Sequence, residues 1–197
     1  MSTQLRLNRG FFARPTADVA EDLLGAYIVV DPGGGPVTAR LVETEAYLGT
    51  EDPGSHAARG PTPRSAIMFG EVGRLYVYLS YGVHVCANIV AHDGRAGAVL
   101  LRAAMVEPSG EEAVRRRRSR VGVATDRLLS GPGNLTAGLG ITLADNRIDV
   151  CRSSRCRIVG GGPVHVAAGP RIGLSKGAGL PLRFRVPGHI AVSGRRT

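Results

Sequence analysis

Val37-Thr-Ala-Arg-Leu-Val-Glu-Thr-Glu-Ala-Tyr47 is a stretch with strand composition and two carboxylates near its end. Side chains alternate across a β-strand, so Val37, Ala39 and Leu41 share one face. Unbroken alternation places Glu43, Glu45 and Tyr47 on that same face. An apolar face running on into carboxylates delivers acids to the edge of a core. Loss of water there raises a carboxyl pKa and equips the group as an acid or base. The alternative is a β-bulge that turns both glutamates toward solvent.

Working outward, Ala26–Val30 reads as a strand, and the turn Asp31-Pro-Gly-Gly-Gly-Pro36 joins it to this one as a hairpin. Before it, Thr16–Gly25 predicts a short helix. Thr16 is its cap, Val19, Ala20, Leu23 and Leu24 its apolar face, and Gly25 its end. After it, residues 48–66 form a Gly/Pro-rich loop carrying His56, Arg59 and Arg64. Leu75–Leu79 and Val83–Val90 predict a second hairpin through Ser80-Tyr-Gly82, and Gly97–Arg102 an apolar strand ending in a charge. Ser109-Gly-Glu-Glu112 fits a capping box, opening a helix into Arg115–Arg118 and Arg120. A further short helix starts at Gly131-Pro132, and Leu182–Val186 returns to strand. No repeat and no long linker divides the chain. The expected architecture is one mixed α+β domain over residues 1–197, with an antiparallel curved sheet and flanking helices.

The 197 residues carry 25 basic and 16 acidic side chains, a net charge of +9. Such an excess favours polyanionic partners through attraction and counterion release, although a solubility charge has the same sign. Lys176 is the only lysine. Arginine suits bidentate phosphate contacts, but a coding bias gives the same skew. Three cysteines without a CxxC pair make a poor zinc site, and idle thiols in a reducing compartment fit better. The spacing of His56 to Glu51 and Asp52 is a weak metal signal. With no apolar leader and no membrane-length run, a cytoplasmic protein is expected.

The second hairpin segregates its side chains. Leu75, Val77 and Leu79 alternate with Tyr76 and Tyr78; Val83, Val85, Ala87 and Ile89 alternate with His84, Cys86 and Asn88. One face is core and the other offers Tyr, His and Asn either to a ligand or to solvent. Four of the five tyrosines (47, 76, 78 and 81) cluster here, and tryptophan is absent. Tyr81 at a hairpin tip either packs back on its own turn or serves as a wedge between base steps. Stacking tyrosines beside a carboxylate in a basic protein point to a flipped base held between aromatic faces. Arg102 is placed to pair with a buried glutamate.

The ordered set Val42-Glu-Thr-Glu-Ala-Tyr-Leu-Gly49, Asp52-Pro-Gly-Ser-His56, Met68-Phe69, Leu75-Tyr-Val-Tyr78, Tyr81-Gly82, Asn88 and Val99-Leu-Leu-Arg102 resembles the alkyladenine (3-methyladenine) DNA glycosylase family. Phe11-Phe12, Leu23-Leu-Gly25, Ser130-Gly-Pro132, Arg171-Ile-Gly173 and Pro181-Leu-Arg-Phe184 extend the likeness along nearly the whole chain. The resemblance implies a monofunctional enzyme that acts as a monomer on double-stranded DNA containing damaged purines, without metal or cofactor. It makes Glu45 the base that activates the attacking water, which Arg102 and the Ile172 carbonyl help to place. Tyr47 and His56 stack on one face of the flipped purine and Tyr78 on the other, Asn88 crowds a guanine amino group, and Tyr81 intercalates. Val83 and a C-terminal part without Trp depart from the family pattern, and Arg115–Arg120 aligns loosely. Water attack fits one carboxylate, whereas a lyase needs an amine such as Lys176 or the N-terminus. Two other classes compete: a non-catalytic minor-groove binder and an enzyme of RNA bases.

Overall fold

All eight strands join one antiparallel sheet, whose main path runs β3-β4-β5-β2-β1-β6. The structure, a computed structural model, describes residues 5–119 and 122–194. Along the chain, α1 (Arg9–Phe12) and α2 (Thr16–Asp22) precede β1 (Tyr27–Val30) and the long β2 (Val37–Tyr47). The second hairpin is β3 (Leu75–Ser80) and β4 (His84–Val90), followed by β5 (Ala98–Val106). Then come α3 (Glu111–Arg118), α4 (Pro132–Leu139), β6 (Cys156–Val159), β7 (Ala167–Gly169) and β8 (Arg183–Arg185). The mixed α+β class is as expected.

Strand β2 organises the sheet because its two halves have different neighbours. Val37–Arg40 pairs with β1, Glu43–Glu45 with β8, and β5 lies along the other side. Between the halves the β2/β5 register slips. Leu41 stands opposite Ala104, Glu43 opposite Ala103, and Thr44 opposite Leu101. The slip switches parity: Ala39 and Leu41 face the main core, but beyond it Ala46 does so instead. Thr44 points the same way, its hydroxyl donating to the Ala20 carbonyl of α2 at 2.7 Å.

Unbroken alternation therefore fails here. The glutamates leave the apolar face through a bulge, yet they do not reach solvent, since both are fully buried. The segment from β7 to Ser193 covers them. A bulge re-aims side chains without uncovering them when another layer lies on the second face.

Helix α2 buries Val19 and Ala20 completely, as does its C-cap Leu23, each large apolar side chain contributing about 1.5–3 kcal/mol. Thr16 is not its side-chain cap. Pro15 occupies that position, and the Thr16 hydroxyl donates to the Ala91 carbonyl at 2.8 Å. The hydroxyl is engaged by a tertiary acceptor and caps no local N–H donor. Ser109 likewise caps nothing: α3 follows a 3-10 turn and has Gly110 at its N-cap, without a side-chain hydrogen bond. Helix α4 opens on Pro132 as expected.

The arginine run is engaged within its own helix and with α4. Arg115 and Arg116 pair with Glu111 and Glu112 one turn back, Arg117 donates to the Gly138 carbonyl, and Arg118 meets Asn134. Arg120 lies outside the described residues.

The β3–β4 hairpin outruns the core. Leu79 and Val83, expected on its core face, are 41% and 72% exposed, so the hairpin's end stands clear of the core. Strand β4 begins at His84 rather than Val83. Tyr81 and Gly82 both have positive φ, +49° and +69°, closed by a Val83 N–H to Ser80 carbonyl bond of 3.0 Å. Glycine adopts this conformation freely, whereas tyrosine is strained in it by about 1–2 kcal/mol. A strained, 87% exposed aromatic at an apolar tip has the makings of an interaction element.

Candidate active site

A cavity of about 550 Å³ opens between the polar face of β3–β4–β5, the loop carrying His56, the start of α4 and the Ile172–Leu174 segment. Cross-strand pairing builds its floor. Tyr76 lies opposite Asn88, Tyr78 opposite Cys86, Ser80 opposite His84, and Asn88 opposite Leu100 of β5. Period-2 alternation thus brings the tyrosines, His84, Cys86 and Asn88 to one face, as the sequence predicts. Tyr47 and Arg102 line the same space.

Glu45 sits behind this wall. One of its oxygens accepts the Tyr47 hydroxyl at 2.9 Å and lies 3.3 Å from an Arg102 nitrogen. The other accepts the Ile172 backbone N–H at 2.8 Å. The Ile172 backbone thus holds the carboxylate directly. Tyr47 and Ile172 line the cavity on one side and hold Glu45 on the other. The Tyr47 hydroxyl is held far above its ordinary pKa, first by burial and then by the Glu45 charge, so it stays a donor.

Glu43 is a separate structural centre. It accepts from Arg102 at 3.1 Å, Arg183 at 2.6 Å, and the Ser193 N–H and hydroxyl at 2.7 and 3.0 Å. Arg102 bridges the two glutamates and also donates to the Ser193 hydroxyl at 3.1 Å. Burial works against its charge, but Glu45 and Glu43 outweigh that and raise its pKa.

The aromatic walls are in contact. The His56 ring meets Tyr78 edge-on, with centroids 4.8 Å apart, and its Nδ1 is 2.9 Å from the Tyr76 hydroxyl. A ring stacked on Tyr78 from that side therefore requires His56 to turn aside. Asn88 is buried, and its amide donates to the Tyr76 carbonyl at 3.1 Å. Tyr81 reaches over the mouth, with its hydroxyl 3.4 Å from the Gly173 carbonyl.

Desolvation and the nearby Arg64 charge push His56 down to about 4. Its imidazole is accordingly neutral at physiological pH. An unfolded-state value near 6.5 means that the unfolded chain takes the proton first. The stability that a neutral His56 contributes is thus present above about pH 6.5 and is lost as pH falls toward 4. An NMR titration should show the His56 ring protonating near pH 4; a midpoint at the ordinary histidine value contradicts this environment.

Several residues here escaped the sequence. Asp52 and Arg171 are fully buried and paired through two contacts of 2.5 and 2.7 Å. Asp52 also accepts the Leu48 and Gly54 N–H groups, at 3.1 and 2.9 Å. Arg171 donates to the Ala46 carbonyl at 2.9 Å and lies 4.7 Å from the centroid of the Tyr47 ring. One pair thereby ties the end of β2, the His56 loop and Ile172 together. The Asp52-Pro-Gly turn was a visible signal, but its partner, 119 positions away, was not. Lys176, remote in sequence, has its carbonyl against Gly54 at the cavity. Among the described residues no cluster of three His, Cys, Asp or Glu is arranged to hold a metal ion, and no helix is long and apolar enough to cross a membrane.

The family model described as methylpurine-DNA glycosylase (MPG) matches residues 10–190. The chain belongs to this family. It is therefore a DNA glycosylase, an enzyme of DNA repair that hydrolyses an N-glycosyl bond. Relatives bearing the name "Putative 3-methyladenine DNA glycosylase" include one from Cutibacterium acnes, 43% identical over 93% of this chain and 97% of its own. Another, from Bradyrhizobium diazoefficiens, is 46% identical over 95% of this chain and 90% of its own. The cavity described above lies within the matched span.

Proposed function

We propose that this glycosylase removes alkylated or deaminated purines from duplex DNA, using a water activated by Glu45 and leaving an abasic site. The observation that carries the proposal is a single buried carboxylate behind an aromatic-lined cavity, held by donors from Tyr47, Arg102 and Ile172.

The step has a simple balance. The C1′–N9 bond breaks, and its electron pair leaves with the purine. The oxygen of water bonds to C1′, and Glu45 takes the water's proton. Arg102 contacts both Glu45 and Glu43 and so fixes the position of the Glu45 carboxylate. Because Glu45 is fully buried, substrate entry must part the cover made by Tyr47 and Ile172 to admit water. The flipped purine lies against Tyr78, with Tyr47 and His56 on its other side and Asn88 at its edge. Tyr81 fills the gap in the duplex, which its strained, exposed position at the hairpin tip favours. Bases that already carry an alkyl cation leave readily as neutral purines, while a neutral lesion that is not first protonated leaves as an anion, a poorer leaving group. One copy of the chain suffices for every step.

Duplexes containing deoxyinosine, ethenoadenine or 3-methyladenine test this directly. Free base should be released from at least one of them, and the strand should break only on alkaline treatment. Intact DNA from all three after long incubation contradicts the proposal and favours a non-catalytic binder.

A further inference from the structure

The cavity is lined by two arginines in different electrical situations. Arg102 is balanced by Glu43 and Glu45. Arg64 makes no ion pair among the described residues. Its guanidinium lies 4.7 Å from the centroid of the Tyr78 ring. Its backbone is anchored. The Thr62 N–H donates to the Ser65 hydroxyl at 2.9 Å, the Ser65 N–H to the Thr62 hydroxyl at 3.1 Å, and the Ser65 hydroxyl to the Gly60 carbonyl at 3.0 Å. Ser65 itself is fully buried. An unbalanced cation is thus built into the wall where the aromatic side chains gather.

We propose that Arg64 is a specificity-determining residue, biasing the cavity toward neutral purine lesions with an acceptor edge and against cationic N-alkylpurines. This rests on the proposal that the cavity receives a flipped purine. A cationic base entering beside Arg64 meets a like charge, and the low-dielectric wall strengthens the repulsion. A neutral base with a carbonyl edge, such as hypoxanthine, meets a hydrogen-bond donor instead.

Bond cleavage adds one negative charge to the base in either case. A neutral base leaves as an anion and a cationic base leaves neutral. Arg64 therefore favours the bond-breaking step about equally for both classes and discriminates only on entry.

That asymmetry gives a distinctive test. Single-turnover base release is measured on duplexes carrying deoxyinosine or 7-methyldeoxyguanosine, across enzyme concentration, for the wild type, Arg64→Gln and Arg64→Lys. In Arg64→Gln the saturating rate should fall by a similar factor on both duplexes. The half-saturating concentration for 7-methylguanine should fall relative to that for hypoxanthine. The ratio of second-order constants should move about tenfold toward 7-methylguanine at low salt. Arg64→Lys keeps the charge and should retain a ratio near that of the wild type, which also serves if Arg64→Gln fails to fold.

An unchanged ratio in Arg64→Gln overturns the proposal, and so does an equal loss of affinity for both lesions and for undamaged duplex, the signature of a phosphate contact. A Lys variant that shifts like Gln also overturns it. Wild-type protein that releases neither base overturns the underlying excision proposal as well.

Discussion

Glu45→Gln is expected to bind lesion-containing duplex with nearly unchanged affinity and to release free base about 10²–10⁴-fold more slowly, the usual contribution of a positioned general base. Glutamine keeps the size of the side chain but cannot take a proton from water at neutral pH. It also cannot accept on both ends. Glu45 now receives the Tyr47 hydroxyl and Arg102 on one oxygen and the Ile172 N–H on the other. An amide must turn its own NH₂ toward one of those donors, a mismatch costing about 1–3 kcal/mol. A modest drop in Tm should therefore accompany the kinetic loss. Single-turnover release, measured beside duplex affinity, separates the two effects. Release within a few-fold of wild type assigns the base to another group.

The second large effect concerns stability. Arg171→Ala strands the fully buried Asp52 carboxylate. Breaking a buried pair from one side costs about 3–5 kcal/mol, which for a chain of this size lowers Tm by roughly 6–20 °C. Asp52 retains the Leu48 and Gly54 N–H donors, so the lower half of that range is expected. The double variant Asp52→Ala/Arg171→Ala should lose less than the two single variants combined, since neither charge is then left alone. Strict additivity in thermal unfolding contradicts this coupling. Base release should fall as well, because Arg171 lies over the Tyr47 ring and Ile172 follows it in the chain.

What the sequence exposes and conceals follows from the range of the forces involved. The β3–β4 hairpin was legible because period-2 alternation is local, and cross-strand pairing then put Tyr76, Tyr78, Cys86 and Asn88 on one face. Helix α4 was legible from Gly131-Pro132 for the same reason. The β2 bulge was not decided locally. It depends on β5 slipping opposite Val42–Thr44, on β8 pairing along the other edge, and on the Ile172 and Ser193 segments closing over the glutamates. Alternation alone therefore put Glu43 and Glu45 on the wrong face, and the solvent alternative erred about burial.

The two caps failed because Thr16 found a tertiary acceptor in Ala91 and Ser109 fell within a 3-10 turn. The family likeness pointed to Glu45, Arg102 and Ile172, and these residues do converge. It was silent about Arg64, Asp52 as the partner of Arg171, and the Ser193–Glu43 contact. These partners lie far apart in sequence, and only the folded chain brings them together.

Entry of a damaged purine from the duplex into this cavity is the step on which excision depends. Its most direct test is a crystal structure of Glu45→Gln bound to a duplex with one ethenoadenine. The base should lie in the cavity, with Tyr78 on one side, Tyr47 and His56 on the other, and Tyr81 in the vacated stack. An ethenoadenine still stacked in the helix, with the cavity empty and Tyr81 on Gly173, would contradict it.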